Sequence, residues 1–212
     1  MAEISALPAA VGGLAVALEV VFAWPQASKA LRAPDVAGIS AVTAVLMVLT
    51  ATSWLAYGIA VSDPVVIVAN LVMAIATLVI AGALVARGRL GAPLALGSSA
   101  AWAAVAVGAL ALFGPAGLGA VGATIGISMG LPQAARAVRT GSVAGVAISS
   151  YVLLGCLQAS WLVYGLLIAD AVIVVPNIIA LPITIAVTTV LAVRRAGEPE
   201  VSTERTVLLA DT

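Results

Sequence analysis

WPQASKALRAPDVAGIS (residues 24–40) and LPQAARAVRTGSVAGVA (residues 131–147) are one stretch written twice. Each opens with Pro-Gln, carries two basic residues and reaches Val-Ala-Gly. The correspondence runs on without a gap: Trp54 matches Trp161, Tyr57 matches Tyr164, Asp63 matches Asp170 and Asn70 matches Asn177. Pro25 to Pro132 and Asn70 to Asn177 are the same step of 107 residues (132 − 25; 177 − 70). A register held over such a span marks an internal duplication, and a duplication constrains the whole fold.

The chain around the repeats is 63% hydrophobic and 8% charged over 212 residues, with a mean hydropathy of +1.23. A soluble domain has roughly a quarter of its residues charged, so there is too little polar surface here to wet a globule. Continuous apolar runs long enough to cross a bilayer recur from end to end, which predicts an all-α polytopic membrane protein rather than a barrel. Seven spans are expected, at about residues 7–30, 39–60, 64–86, 94–113, 117–137, 146–169 and 171–193. Turn chemistry breaks them, as in Ser62-Asp63-Pro64 and Phe113-Gly114-Pro115.

All nine basic residues fall on alternate connections, after the first, third, fifth and seventh spans. By the positive-inside rule the N-terminus is outside and the C-terminus cytoplasmic. The fourth span has no repeat partner. A three-helix unit ends opposite to where it starts, so one extra crossing lets both copies point the same way. The organisation read from this is a first three-helix repeat over 1–90, a linker helix over 91–114, a second repeat over 115–193 and a polar, disordered cytoplasmic tail over 194–212.

The two Pro-Gln motifs, the Trp-x-x-Tyr-Gly segments and the Asn in each third helix resemble the SWEET and PQ-loop sugar transporters, over about residues 8–193. The bacterial SemiSWEET half-transporters are similar to each repeat separately, and the KDEL receptor shares the fold. The resemblance implies facilitated, alternating-access transport of mono- or disaccharides. It also implies that the prolines of the first helices, Pro25 and Pro132, are hinges, and that Trp and Asn side chains hold the sugar at mid-membrane.

The residues support that role on their own. Trp54 and Asn70 each stand eight residues from Ser62, roughly 12 Å from the outer end at 1.5 Å per residue. Trp161 and Asn177 repeat this about Ala169. Two aromatic faces and two carboxamides at one depth suit a sugar's C–H surface and hydroxyls. The competing roles are an interface anchor for Trp and interhelical glue for Asn. An anchor position suits Tyr57 and Tyr164, near the outer end, better than the deeper Trp54 and Trp161. Pro25 and Pro132 lie late in inward-running helices, where each removes a backbone bond and bends the helix. Gln26 and Gln133 stand ready to satisfy the freed carbonyls.

Glu19 is the single acid inside an expected span, and its repeat partner is Gly126, in the stripe Gly122, Gly126, Gly130. A protonation site coupling transport to protons is one reading of it. The other is a neutral, hydrogen-bonded acid that packs, or one that reaches water near the outer end. Cys156 reads as a small packing residue. With no His, no metal site is expected; no nucleophile with a base is visible, so no enzyme; and nothing calls for a cofactor. The N-terminus lacks a basic region, so no cleaved signal peptide is expected. Gly117-Leu-Gly119-Ala-Val-Gly122 matches G-x-G-x-x-G but opens a span, so a nucleotide role is not expected.

The expected partners are a small-molecule sugar and the lipid bilayer, with no nucleic acid, and homo-oligomerisation stays open. A proton-coupled amino-acid carrier of the PQ-loop type and a seven-helix receptor of the KDEL-receptor kind are the alternatives. A retinal protein would need a lysine in the last span, and the chain's one lysine is Lys29. Richness in Ala, Val and Gly hints at a high-GC bacterium, and so at the plasma membrane.

Overall fold

The computed structural model describes residues 6–32, 40–140 and 148–197. These form seven helices: α1 Ala6–Arg32, α2 Ala41–Val61, α3 Pro64–Ala86, α4 Ala92–Phe113, α5 Pro115–Thr140, α6 Ile148–Leu167 and α7 Ala171–Gly197. There is no strand among the described residues. Six of the helices are long and apolar enough to cross a membrane, and the apolar part of α5 covers Pro115–Met129. The protein is a multi-pass, all-helical membrane protein.

Several helices run past the expected ends, and the longest extensions, at the ends of α5 and α7, are on the basic side. The tail expected from Arg194 is one such case, because Arg194 and Arg195 form part of the last turn of α7. Hydropathy marks the segment buried in hydrocarbon, whereas backbone hydrogen bonding carries a helix further. Cations at a helix C-terminus also meet the negative end of its dipole. Arg87 does this for a neighbour: its guanidinium donates to the carbonyls of Ala30 at 3.0 Å and Leu31 at 3.3 Å, closing the end of α1.

The opposite ends are turned by repeated chemistry. Ser62 and Ala169, one repeat apart, both take the left-handed conformation (φ 57° and 55°). The next residue is an aspartate that caps the following helix. Asp63 accepts from the amides of Val65 (2.9 Å) and Val66 (3.1 Å). Asp170 accepts from Val172 (2.8 Å) and Ile173 (3.3 Å). Each aspartate satisfies orphan donors of a first helical turn, so α2–α3 and α6–α7 are tight antiparallel pairs.

The helices pack as a closed ring in the order α1, α3, α2, α5, α7, α6 and back to α1. Exchanging α1 with α5, α2 with α6 and α3 with α7 maps this ring onto itself. That is the pattern of two parallel copies about an axis along the helices. Two seams join the copies, α2 against α5 and α1 against α6. Helix α4 stands outside the ring on α5 and α2. Val107, Leu112 and Phe113 on α4 are largely exposed, which suits a lipid solvent. The packed core beside Arg87 is built mostly of alanines, including Ala23, Ala27, Ala30, Ala44 and Ala76. Small residues let membrane helices approach closely where no hydrophobic force drives them together.

Candidate transport cavity

The ring encloses a cavity of about 560 Å³, lined by all six of its helices and by none of α4. Trp54, Asn70, Trp161 and Asn177 all line it, as does Glu19. The equal spacing from the two turns thus brings both Trp–Asn pairs into one chamber. Each indole stands edge-on to the tyrosine one turn later: Trp54 and Tyr57 have centroids 5.7 Å apart at 87°, and Trp161 and Tyr164 5.7 Å at 83°. Asn70 donates through Nδ2 to the Val66 carbonyl at 2.9 Å, and Asn177 to that of Ile173 at 2.8 Å. Both bonds stay within one helix. They orient the carboxamides and leave each oxygen and second N–H for the cavity.

The two indoles are seated differently. Trp54 lies against Gly122 of α5, where an added Cβ would stand 2.9 Å from the indole Cδ1 and Nε1. Trp161 instead donates through Nε1 to Glu19 Oε1 of α1 at 3.1 Å. Glu19 is buried, at 7% exposure, and its Oε2 has no hydrogen-bond partner. The buried Thr50 Oγ1 and Gln158 Oε1 also lack partners, and both residues line the cavity.

At the aspartate end the two repeats are joined by a crossed latch. The Tyr57 hydroxyl donates to Asp170 Oδ2, from the first repeat to the second. The Tyr164 hydroxyl donates to Asp63 Oδ1 (3.0 Å) and Oδ2 (2.9 Å), from the second to the first. Each aspartate is at once the cap of its own helix and the acceptor for the other repeat. Two glycines one repeat apart allow the approach. A Cβ on Gly12 would stand 2.7 Å from Val65 Cγ1 and 3.0 Å from the Tyr164 ring, and one on Gly119 would overlap Val172.

The family model for a sugar efflux transporter for intercellular exchange matches residues 11–83 and 116–193, both repeats and not the linker. The chain belongs to the SWEET family. This is a family of sugar transporters and not of enzymes. The chain's fold is similar to the solved structure of a eukaryotic SWEET transporter, with a TM-score of 0.71 at 19% identity, over 90% of this chain and 99% of that one. No curated protein matches the chain.

Other expected residues of this SWEET chain fall out variously. Tyr57 and Tyr164 are not interface anchors, being 3% and 4% exposed and turned inward to the aspartates. A polar-tipped aromatic suits a bilayer interface and a buried carboxylate equally well, and depth alone does not tell the two apart. The signal that could have found the latch was present, since both tyrosines and both aspartates recur at the repeat spacing. Cys156 is exposed rather than packed. Pro25 lies inside α1, and Ser28 Oγ donates to its carbonyl at 3.0 Å. Pro132 and Gln133 are within α5 and Gln26 within α1, but their side chains lie outside the described residues, as does that of Gly130. Two prolines not singled out in the sequence, Pro176 and Pro182, interrupt α7, and Pro176 lines the cavity. No metal-binding cluster occurs among the described residues.

Proposed function

We propose that this SWEET-family chain carries a mono- or disaccharide across the plasma membrane by alternating access, as a facilitated uniport. The observation that carries the reading is the chamber between the repeats, with paired indoles and carboxamides at its centre and the crossed latch at one end. A volume of about 560 Å³ is in the range of small-molecule sites. Trp54 and Trp161 offer faces to the sugar's C–H surface, and Asn70 and Asn177 pair with hydroxyls stripped of water. The arginine side is cytoplasmic by the positive-inside rule, so the Tyr–Asp latch closes the outer end. Release to the outside needs those charge-assisted bonds broken, a cost of about 1.5–3 kcal/mol each. Such a cost suits a gate that opens and recloses on its own. Pro25 and Pro132 serve as the paired hinge at the inner ends of α1 and α5, with Gln26 and Gln133 pairing with the carbonyls that the prolines free.

Purified protein in liposomes, offered a panel of labelled sugars and amino acids, tests this. The expected result is saturable sugar counterflow that is indifferent to an imposed pH gradient. Uptake of an amino acid driven by protons, with no sugar flux, would favour the second reading instead. That reading is a proton-coupled amino-acid carrier with Glu19 as its protonation site, supported by the unpartnered Oε2. Cysteines at Ser62 and Arg89 should label from outside and inside respectively; both labelling from outside would overturn the orientation.

A further inference from the structure

We infer that Glu19 and Gln158 form a hydrogen-accepting end on one side of the chamber, and that it selects a sugar carrying a protonated amine, held in one orientation. The inference rests on the sugar reading above and narrows its substrate class.

The duplication makes most of the chamber two-fold, with Trp54 matched by Trp161 and Asn70 by Asn177. Four polar-tipped positions break the pattern, Tyr151, which is matched by Ala44, and three more. Glu19 is matched by Gly126, Gln158 by Ala51 and Thr50 by Leu157. These three polar residues are the ones whose buried oxygens have no partner. Two of them belong to the α1/α6 seam. Glu19 is on α1; Gln158 is on α6, one helical turn before Trp161 and so on its face. The Trp161 indole fixes Glu19 by one oxygen (3.1 Å) and leaves the other free.

An unpaired buried acceptor costs free energy that a ligand donor can recover. A carboxylate in a bilayer costs more, and is relieved by a proton or by an opposite charge. The protein offers none in the chamber: among the described lining residues Glu19 is the one acidic side chain and there is no basic one. A substrate ammonium would supply both the missing donor and the missing charge. Two indole faces in the same chamber add cation–π attraction. A neutral hydroxyl gains less at the same oxygen, because it brings no charge to offset the desolvation of the carboxylate. Since the opposite seam offers glycine and alanine at the equivalent positions, the amine end of the sugar has one place to go.

The test is calorimetric titration of the full chain in nanodiscs with 2-amino-2-deoxyglucose, its N-acetyl form and glucose. Wild-type protein should bind the amine form about tenfold more tightly than either neutral sugar. In Glu19→Gln the preference should fall to within about twofold, with glucose affinity far less changed. Gln158→Met, which leaves the carboxylate in place, should narrow the preference partway and serves if Glu19→Gln does not fold. Melting curves on the same samples report folding. Glucose binding as tightly as the amine form in wild type would overturn the inference and leave the sugar reading standing. A preference that survives intact in folded Glu19→Gln would also overturn it. No binding of any hexose by folded wild type would overturn both readings.

Discussion

The α2/α5 seam and the α1/α6 seam hold equivalent places in the two repeats, yet they are made of different chemistry. At α2/α5 the contact is shape. Trp54 rests on Gly122, and Ser53 beneath it is fully buried. Helix α4 spans both helices and pins the seam, with Trp102 Nε1 donating to Ser53 Oγ at 2.7 Å. At α1/α6 the contact is polar. Trp161 donates to Glu19, Ala15 stands where the other seam has Gly122, and α4 packs on the other seam instead, among the described residues. Ser160 and its counterpart Ser53 bond their own helices alike, at the Cys156 carbonyl (2.9 Å) and the Leu49 carbonyl (2.7 Å), and Ser53 accepts from Trp102 in addition. Duplication set a common backbone path, and later substitution made one seam a strapped, apolar joint and the other a polar one open to a ligand.

The latch is the symmetric control for that contrast, and its loss should have the largest effect. Tyr57→Phe and Tyr164→Phe should each weaken closure by about 1.5–3 kcal/mol, and by nearly the same amount. Spin labels at Ser62 and Ala169 would show this as longer distances in both variants. A large effect from one tyrosine and none from the other would mean that the asymmetry reaches the outer gate.

Next comes the apolar seam. Gly122→Val puts atoms where the Trp54 indole lies and should cost about 1–3 kcal/mol of stability, with sugar binding lost as the indole is pushed into the chamber. Ala15→Gly at the other seam should melt within about 1 kcal/mol of wild type. A melting curve for each variant checks the pair; equal effects would erase the distinction. The smallest effect is expected at the strap. Trp102→Phe removes one hydrogen bond and should cost about 0.5–1.5 kcal/mol. Melting that is unchanged would show that α4 packs there without pinning.

Much of this was legible in the chain. The repeat and the alternation of basic residues are backbone-level and electrostatic facts, so they fixed the seven-helix architecture. Equal spacing from Ser62 and Ala169 placed Trp54, Asn70, Trp161 and Asn177 at one depth, and depth is what helix rise determines. Rotation about the helix axis is not so determined. Helix rise therefore does not give the surroundings of Tyr57, Tyr164 and Cys156, or the partners of Asp63 and Asp170. Thr50 and Gln158 left no trace, because their repeat positions hold Leu157 and Ala51. The end of α7 lies beyond its hydropathy limit because the apolar run stops at Arg194 and the helix does not.

The central claim is that the chamber between the repeats is the sugar site. Titration of sugar into Asn70→Ala and Asn177→Ala, with melting curves on the same samples, tests it most directly. Each substitution leaves a substrate hydroxyl unpaired and should cost about 1–3 kcal/mol of binding, on the order of tenfold to a hundredfold in affinity. The melts should stay close to wild type, since each Asn bonds only its own helix. Mutants that melt early and bind sugar normally would show that the asparagines pack the bundle and that the sugar binds elsewhere.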